Sequence, residues 1–269
     1  MANVNQFIKS VWVIWYRDLL RFWRNKVRLI GGLAFPILWL LIFGVGLSSS
    51  LTLPVPGIRF VDFLFPGVIA QFLIFMSMFG AISILQDREF GFLKEILVSP
   101  APRSAIALGK VLGGASIALI QAMPIIILAP LAGIHISFDL AGNLLPPMIL
   151  LAVILSAIGV AITSRLKSLD AGQYVFQFIT FPLVMLSGAF FPLRDLPTWL
   201  DILTKINPLS YGVDLLRRIA LDYAGMPREV ITALSPTING HVVALSTEYA
   251  VMIIFGVILF VFASRSFNQ

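Results

Sequence analysis

Six stretches of roughly 20 apolar residues punctuate the chain, running from Leu29 to Ser49, Val61 to Leu85, Ala105 to Ile134, Leu144 to Ser164, Gln173 to Phe190 and Leu245 to Ser264. A helix rises about 1.5 Å per residue and the hydrocarbon core of a bilayer is about 30 Å thick, so each stretch can cross as one helix. Of the 269 residues, 59% are hydrophobic and 12% charged. An ordinary soluble domain has roughly a quarter of its residues charged, which excludes one here. The chain therefore reads as an all-α polytopic membrane protein, a single transmembrane domain over residues 1–269 with no room for a separate aqueous domain.

The basic residues orient it. With the amino terminus inside, the inner segments collect Lys9, Arg17, Arg21, Arg24, Lys26, Arg28, Arg88, Lys94, Arg103, Lys110, Arg165, Lys167 and Arg265, 13 of the 19 Lys and Arg. Five of the remaining six lie in the long connection before the last span, where positive charge has little weight on orientation. Both termini are expected in the cytoplasm, with the protein in the inner (plasma) membrane. The formal charge of +6 is then a membrane-sidedness signal, and no nucleic-acid partner is expected.

Residues 1–28 lack the cleavage site of a secretory signal. On a helical wheel, Arg17, Arg21, Arg24 and Arg28 form one stripe, while Ile8, Val11, Trp12, Trp15, Leu19 and Phe22 gather opposite. Such a helix suits the inner membrane surface, in contact with lipid headgroups; a basic flank that only sets orientation is a compatible reading. Pro36, Pro66, Pro124, Pro130 and Pro182 fall in or near spans, where neighbouring helices can satisfy freed carbonyls.

Several chemistries have no foothold. Without Cys there are no disulfides, thiolate metal sites or thiol nucleophiles. His135 and His241 are far apart, and His135 with Asp139 is too little for a metal. The span centres bear no charge of the kind that marks an ion-coupled path; Asp62, Lys110 and Arg165 lie near span ends, where they can reach headgroups. No GxxxxGK[ST] loop is present, so any work done by this chain draws its energy from a partner.

Two connecting segments are patterned beyond the needs of a linker. In the inner loop over 86–104, Phe90, Leu93 and Leu97 share one helix face, Arg88, Glu89, Lys94 and Glu95 supply charge, and Pro100 with Pro102 ends the helix. This short amphipathic helix suits a protein groove or the lipid surface equally. The second segment, 191–218, has apolar runs too short to span and cut by Pro192, Pro197 and Pro208, as in two short helices dipping in from outside. Asp214 is placed to pair with Arg217 and Arg218 along one helix face.

With Ser187-Gly188-x-x-Phe191-Pro192, Leu196-Pro197, Pro208-Leu209-x-Tyr211 and Arg217, and with Arg88-Glu89-x-Gly91, Glu95, Leu97, Pro100 and Arg103, the sequence resembles the membrane subunits of ABC-2 type exporters. These permeases include daunorubicin-resistance-like and polysaccharide-export members, and the likeness spans nearly the whole chain. It implies six spans, an inner-surface helix, a coupling helix over Arg88 to Pro100 (Arg88, Glu89, Phe90, Gly91, Leu93, Lys94, Glu95, Leu97, Pro100) docking on a separate ATP-binding cassette ATPase, and re-entrant helices before the last span. The re-entrant or gate set is Ser187, Gly188, Phe191, Pro192, Pro208, Tyr211 and Arg217. A second permease subunit, in a homodimer, would complete a central path. Gln71, Phe72, Phe75, Phe176, Gln177 and Thr180, at mid-depth, suit an amphipathic or lipid-like solute on that path. No catalytic residue or cofactor is expected on this chain, since ATP and Mg belong to the partner. Drug or lipid-like cargo is preferred over polysaccharide; a non-transporting scaffold and a stand-alone channel are the competing classes.

Overall fold

The computed structural model describes residues 4–26, 29–31, 34, 38, 42, 58–193, 196–238 and 241–266. The first predicted span, 29–49, and Pro36 within it fall largely or wholly outside the described residues, as do Arg28 and the side chains of Leu93, Lys94 and Leu97. The elements are α1 (Val4–Arg24), α2 (Phe60–Glu89), α3 (Phe92–Val98), α4 (Arg103–Leu128) with a 3-10 turn (Ala129–Ala132), α5 (Phe138–Thr163), α6 (Leu169–Met185), α7 (Thr198–Ile206), α8 (Pro208–Tyr223), α9 (Arg228–Leu234), a minimal hairpin of β1 (Thr237–Ile238) and β2 (His241–Val242), and α10 (Leu245–Ser266).

Four of these are long and apolar enough to cross a membrane, namely α2, α4 with its 3-10 turn, α5 and α10. The stretch expected at 173–190 folds as the 17-residue α6, which begins and ends earlier. Its start is fixed by Ser168, whose side chain accepts a hydrogen bond from the Ala171 N–H, with Asp170 in the first turn. Ser137 likewise caps α5 by accepting from the Leu140 N–H, so that helix begins six residues before the apolar run at Leu144. Hydropathy does not register caps, which is why both starts were displaced. The chain stays helical through Pro66, Pro124 and Pro182.

The core lies where α2, α4 and α5 meet, with α8 and α10 packed around them. The approach of α2 to α4 requires small residues, because a Cβ on Gly80 would lie 2.8 Å from the Gly114 Cα. Such stripes let apolar helices pack by close van der Waals contact where lipid supplies no hydrophobic drive. At the far end of α2, Ile58, Phe63, Leu221, Ile231 and Leu234 form a smaller cluster beneath α9, an element the sequence reading did not foresee. The end of α2 bearing α3 is called basal below, and the opposite end distal.

Candidate functional site at the basal end

The chain leaves α2 through Arg88, Glu89 and Phe90 and turns at Gly91, whose φ of +81° lies in the left-handed region that glycine enters without a steric penalty. It then forms the seven-residue α3. The predicted coupling segment is thus two structures. Arg88 donates from Nη2 to the Ser164 carbonyl at 2.9 Å and from Nη1 to that of Leu166, and Glu89 Oε1 accepts from the Leu169 N–H at 3.0 Å. Both residues therefore brace the α5–α6 connection, Arg88 half-buried and Glu89 still exposed. On either side of the turn, Phe90 before it and Phe92 and Val98 after it are exposed, Val98 at 87%. Glu95 is also exposed, and the Pro100 carbonyl accepts from Gln6 Nε2 of α1 at 2.9 Å. A cleft of ≈ 690 Å³ separates α1 from α3, with Lys9, Ser10, Glu95 and Ile96 among its walls.

Beneath this surface is a buried ion cluster. Asp87 Oδ2 accepts from Arg17 Nη2 at 2.5 Å and from Lys110 Nζ at 2.8 Å, while Asp87 Oδ1 accepts from Arg21 Nη1 at 2.9 Å. Lys110 also reaches Asp18 at 2.9 Å and Ser83 Oγ at 3.2 Å. The cluster joins α1, α2 and α4. Burial alone would depress the Arg17 guanidinium, but Asp18 and Asp87 outweigh it and hold its pKa above the ordinary arginine value.

Two expectations change here. Lys110 does not reach for headgroups: its side chain is 1% exposed, because Asp18 and Asp87 offer it two carboxylates inside the protein. Nor does α1 present a uniformly free arginine stripe, since Arg17 and Arg21 turn inward to Asp87 while Ile14, Asp18 and Phe22 are buried. Ile8 and Trp12 stay exposed, consistent with a lipid-facing side. Asp18 and Asp87 were not singled out from sequence. A signal existed: Asp18 is the only acidic residue in the first 61, and the first 28 of these hold six cations.

The distal residues converge on a second arrangement. Ser187 Oγ donates to the Val184 carbonyl at 2.6 Å and accepts from the Ala189 N–H, holding the turn that follows α6. Asn207 caps α8 by accepting from the Leu209 N–H, with Pro208 as first residue, and its Nδ2 donates to the Leu183 carbonyl. Tyr211 donates its hydroxyl to the Lys205 carbonyl at 2.8 Å, tying α8 to α7. Phe191 and Pro192 are half-buried on the approach to α7. Asp214 pairs with Arg218 at 2.5 Å, as spacing predicts, but Arg217 points elsewhere. It donates to the Gly188 carbonyl at 2.6 Å and lies 4.0 Å over the Phe63 ring, because its position on α8 faces α2 and the post-α6 turn. Arg218 also reaches Glu248 at 3.0 Å, a buried carboxylate on α10 that sequence reading missed.

Four of the six mid-depth residues meet. Phe75, Phe176, Gln177 and Thr180 line a cleft of ≈ 310 Å³ between α2 and α6, joined by Met78, Phe79, Ile82 and Gln173. Gln71 and Phe72 are not among its walls; Phe72 faces the core at 3% exposure.

Comparison with known proteins accords with this architecture. The transport permease ycf38 is 28% identical over 224 residues in Cyanophora paradoxa, covering 78% of this chain and 74% of the relative. Escherichia coli K12 YbhR, named a probable multidrug ABC transporter permease, is 30% identical over 178 residues, 64% of this chain and 47% of its own. Nodulation protein J of Rhizobium meliloti is 27% identical over 215 residues, 78% and 81% of the two chains. The family model described as ABC-2 type transporter matches residues 9–221, from the second turn of α1 almost to the end of α8. That match encloses the small-residue helix core, the basal ion cluster and the α6–α8 turn, and on it the chain belongs to the ABC-2 type transporter family as a membrane transport subunit.

Proposed function

We propose that this chain is the membrane half of an ATP-driven exporter, crossing the inner membrane six times with both termini in the cytoplasm. In this reading α3 is the coupling helix and docks on a separate ATP-binding cassette ATPase that holds ATP and Mg. The observation that supports it most is the contrast within four residues of sequence. Arg88 and Glu89 are bound into the α5–α6 connection, whereas Phe90 and Phe92 just beyond them are 72% and 47% exposed. Apolar side chains presented beside a braced helix end fit a protein groove, and the chain has no phosphate-cradling loop of its own.

Two copies pair, with the α2–α6 cleft on the path between them and α7 and α8 as the re-entrant pair closing its outer end. The aromatic and amide lining of the cleft, at ≈ 310 Å³, suits an amphipathic drug or lipid-like solute. The name of YbhR points the same way. Polysaccharide or lipid-linked glycan export is the second reading, favoured by the rings of Phe75 and Phe176 beside Gln173 and Gln177, which suit sugar faces and hydroxyls.

Purification in mild detergent with the neighbouring ATPase tests the coupling role directly. Glu95→Arg and Phe90→Arg should abolish ATPase stimulation and vesicle transport while leaving the thermal unfolding midpoint of the permease intact. Stimulation equal to wild type in both variants would refute docking at α3.

A further inference from the structure

Three consecutive side chains at the end of α2 are committed to three different neighbours. Asp87 accepts from Arg17 and Arg21 of α1 and Lys110 of α4; Arg88 holds the carbonyls of Ser164 and Leu166; Glu89 accepts from the N–H of Leu169 at the start of α6. Two residues later the backbone turns at Gly91 into α3. Of the three, Asp87 is the deepest, with a side chain 0% exposed, and Lys110 beside it is 1% exposed.

We infer that Asp87 and Lys110 are positioning residues that lock α1, the base of α2 and the start of α4 into one rigid lever, so that force applied at α3 moves α1 along with the span. This rests on α3 being the coupling helix. The physical reason is the cost of separating buried charges. Sliding α1 or α4 away from α2 would leave Asp87 or Lys110 ionised without its partner in a low-dielectric site, so the joint resists gradual deformation. The contact between Gln6 of α1 and the Pro100 carbonyl after α3 closes the same loop from the other side. Since α1 presents Ile8 and Trp12 outward, the lever would carry an apolar, lipid-facing surface with it.

The chain has no Cys, so paired spin labels can be introduced on a clean background. Exposed Ile8 on α1 and Val98 on α3 report across the lever, and Val98 with exposed Val261 on α10 reports its motion against the rest of the protein. In nanodiscs holding the permease alone, the Ile8–Val98 distance distribution should be narrow, and Asp87→Asn should broaden it. A wild-type-like distribution in that variant overturns the lock without reference to any ATPase. With the partner ATPase and trapped nucleotide, Val98–Val261 should shift while Ile8–Val98 stays fixed; a comparable shift in both pairs overturns the lever. Transport per ATP hydrolysed should fall at least about fivefold in Asp87→Asn, the lower end of ordinary coupling energies, while the ATPase still co-purifies. Unchanged transport per ATP also overturns it. Arg21→Gln, which removes one exposed-side contact, gives the same test with a smaller fold-change should Asp87→Asn fold poorly. Failure of the wild-type permease to bind any ATPase would instead defeat the proposed function and leave the nanodisc result standing.

Discussion

The two ends of the helical body each contain an ion cluster, but water reaches them to different extents. At the basal end three cations, Arg17, Arg21 and Lys110, surround two carboxylates, Asp18 and Asp87, and both arginines keep about a third of their side chains in contact with solvent. At the distal end Arg218 sits between Asp214 and Glu248, with side-chain exposures of 11%, 3% and 0%. Arg217, next to it, hydrogen-bonds the Gly188 carbonyl and lies over Phe63. At a wet rim, water and a neighbouring cation can stand in for one lost contact, whereas a sealed cluster has no such substitute.

Removing the central cation from each cluster separates them most sharply. Arg218→Met would leave two buried carboxylates without their shared partner and should cost about 3–5 kcal/mol of stability, measured by denaturant unfolding in detergent. Lys110→Met leaves Arg17 and Arg21 against Asp87, and Arg17 against Asp18, and should cost less, about 1–3 kcal/mol in the same assay. Equal losses would show that the rim arginines give no compensation. The smallest effect belongs to Arg21→Gln, about 1 kcal/mol or less at low ionic strength and smaller still in 1 M salt, because its pair with Asp87 is partly solvated. A salt-independent loss there would mean that Arg21 is shielded from water in the membrane-bound protein.

The same contrast explains what the sequence revealed. Long apolar runs located α2, α4, α5 and α10 to within a few residues, and the break pattern around Pro197 and Pro208 located α7 and α8, because span length and proline chemistry are local properties. The Asp214–Arg218 pair was legible for the same reason, being one helical turn apart. The basal cluster was not. Asp18 and Lys110 are 92 positions apart in sequence, and each taken singly looks like a headgroup-facing charge. Arg88 and Glu89 fit an amphipathic surface pattern, yet their partners are backbone groups of the α5–α6 connection, which no side-chain periodicity encodes. Of the mid-depth residues, Phe75, Phe176, Gln177 and Thr180 line one cleft while Gln71 and Phe72 lie off it, because depth along α2 does not specify which side of the helix faces α6.

Gly91 puts the steering of α3 in the backbone itself. Its φ of +81° sets the heading of the helix that follows, and a Cβ there would meet none of the described atoms within 4 Å, so the demand for glycine comes from backbone conformation and not from crowding. Substitutions at the exposed positions Phe92 and Val98 therefore leave the origin of the bend untouched, much as a socket wrench accepts new heads on one handle.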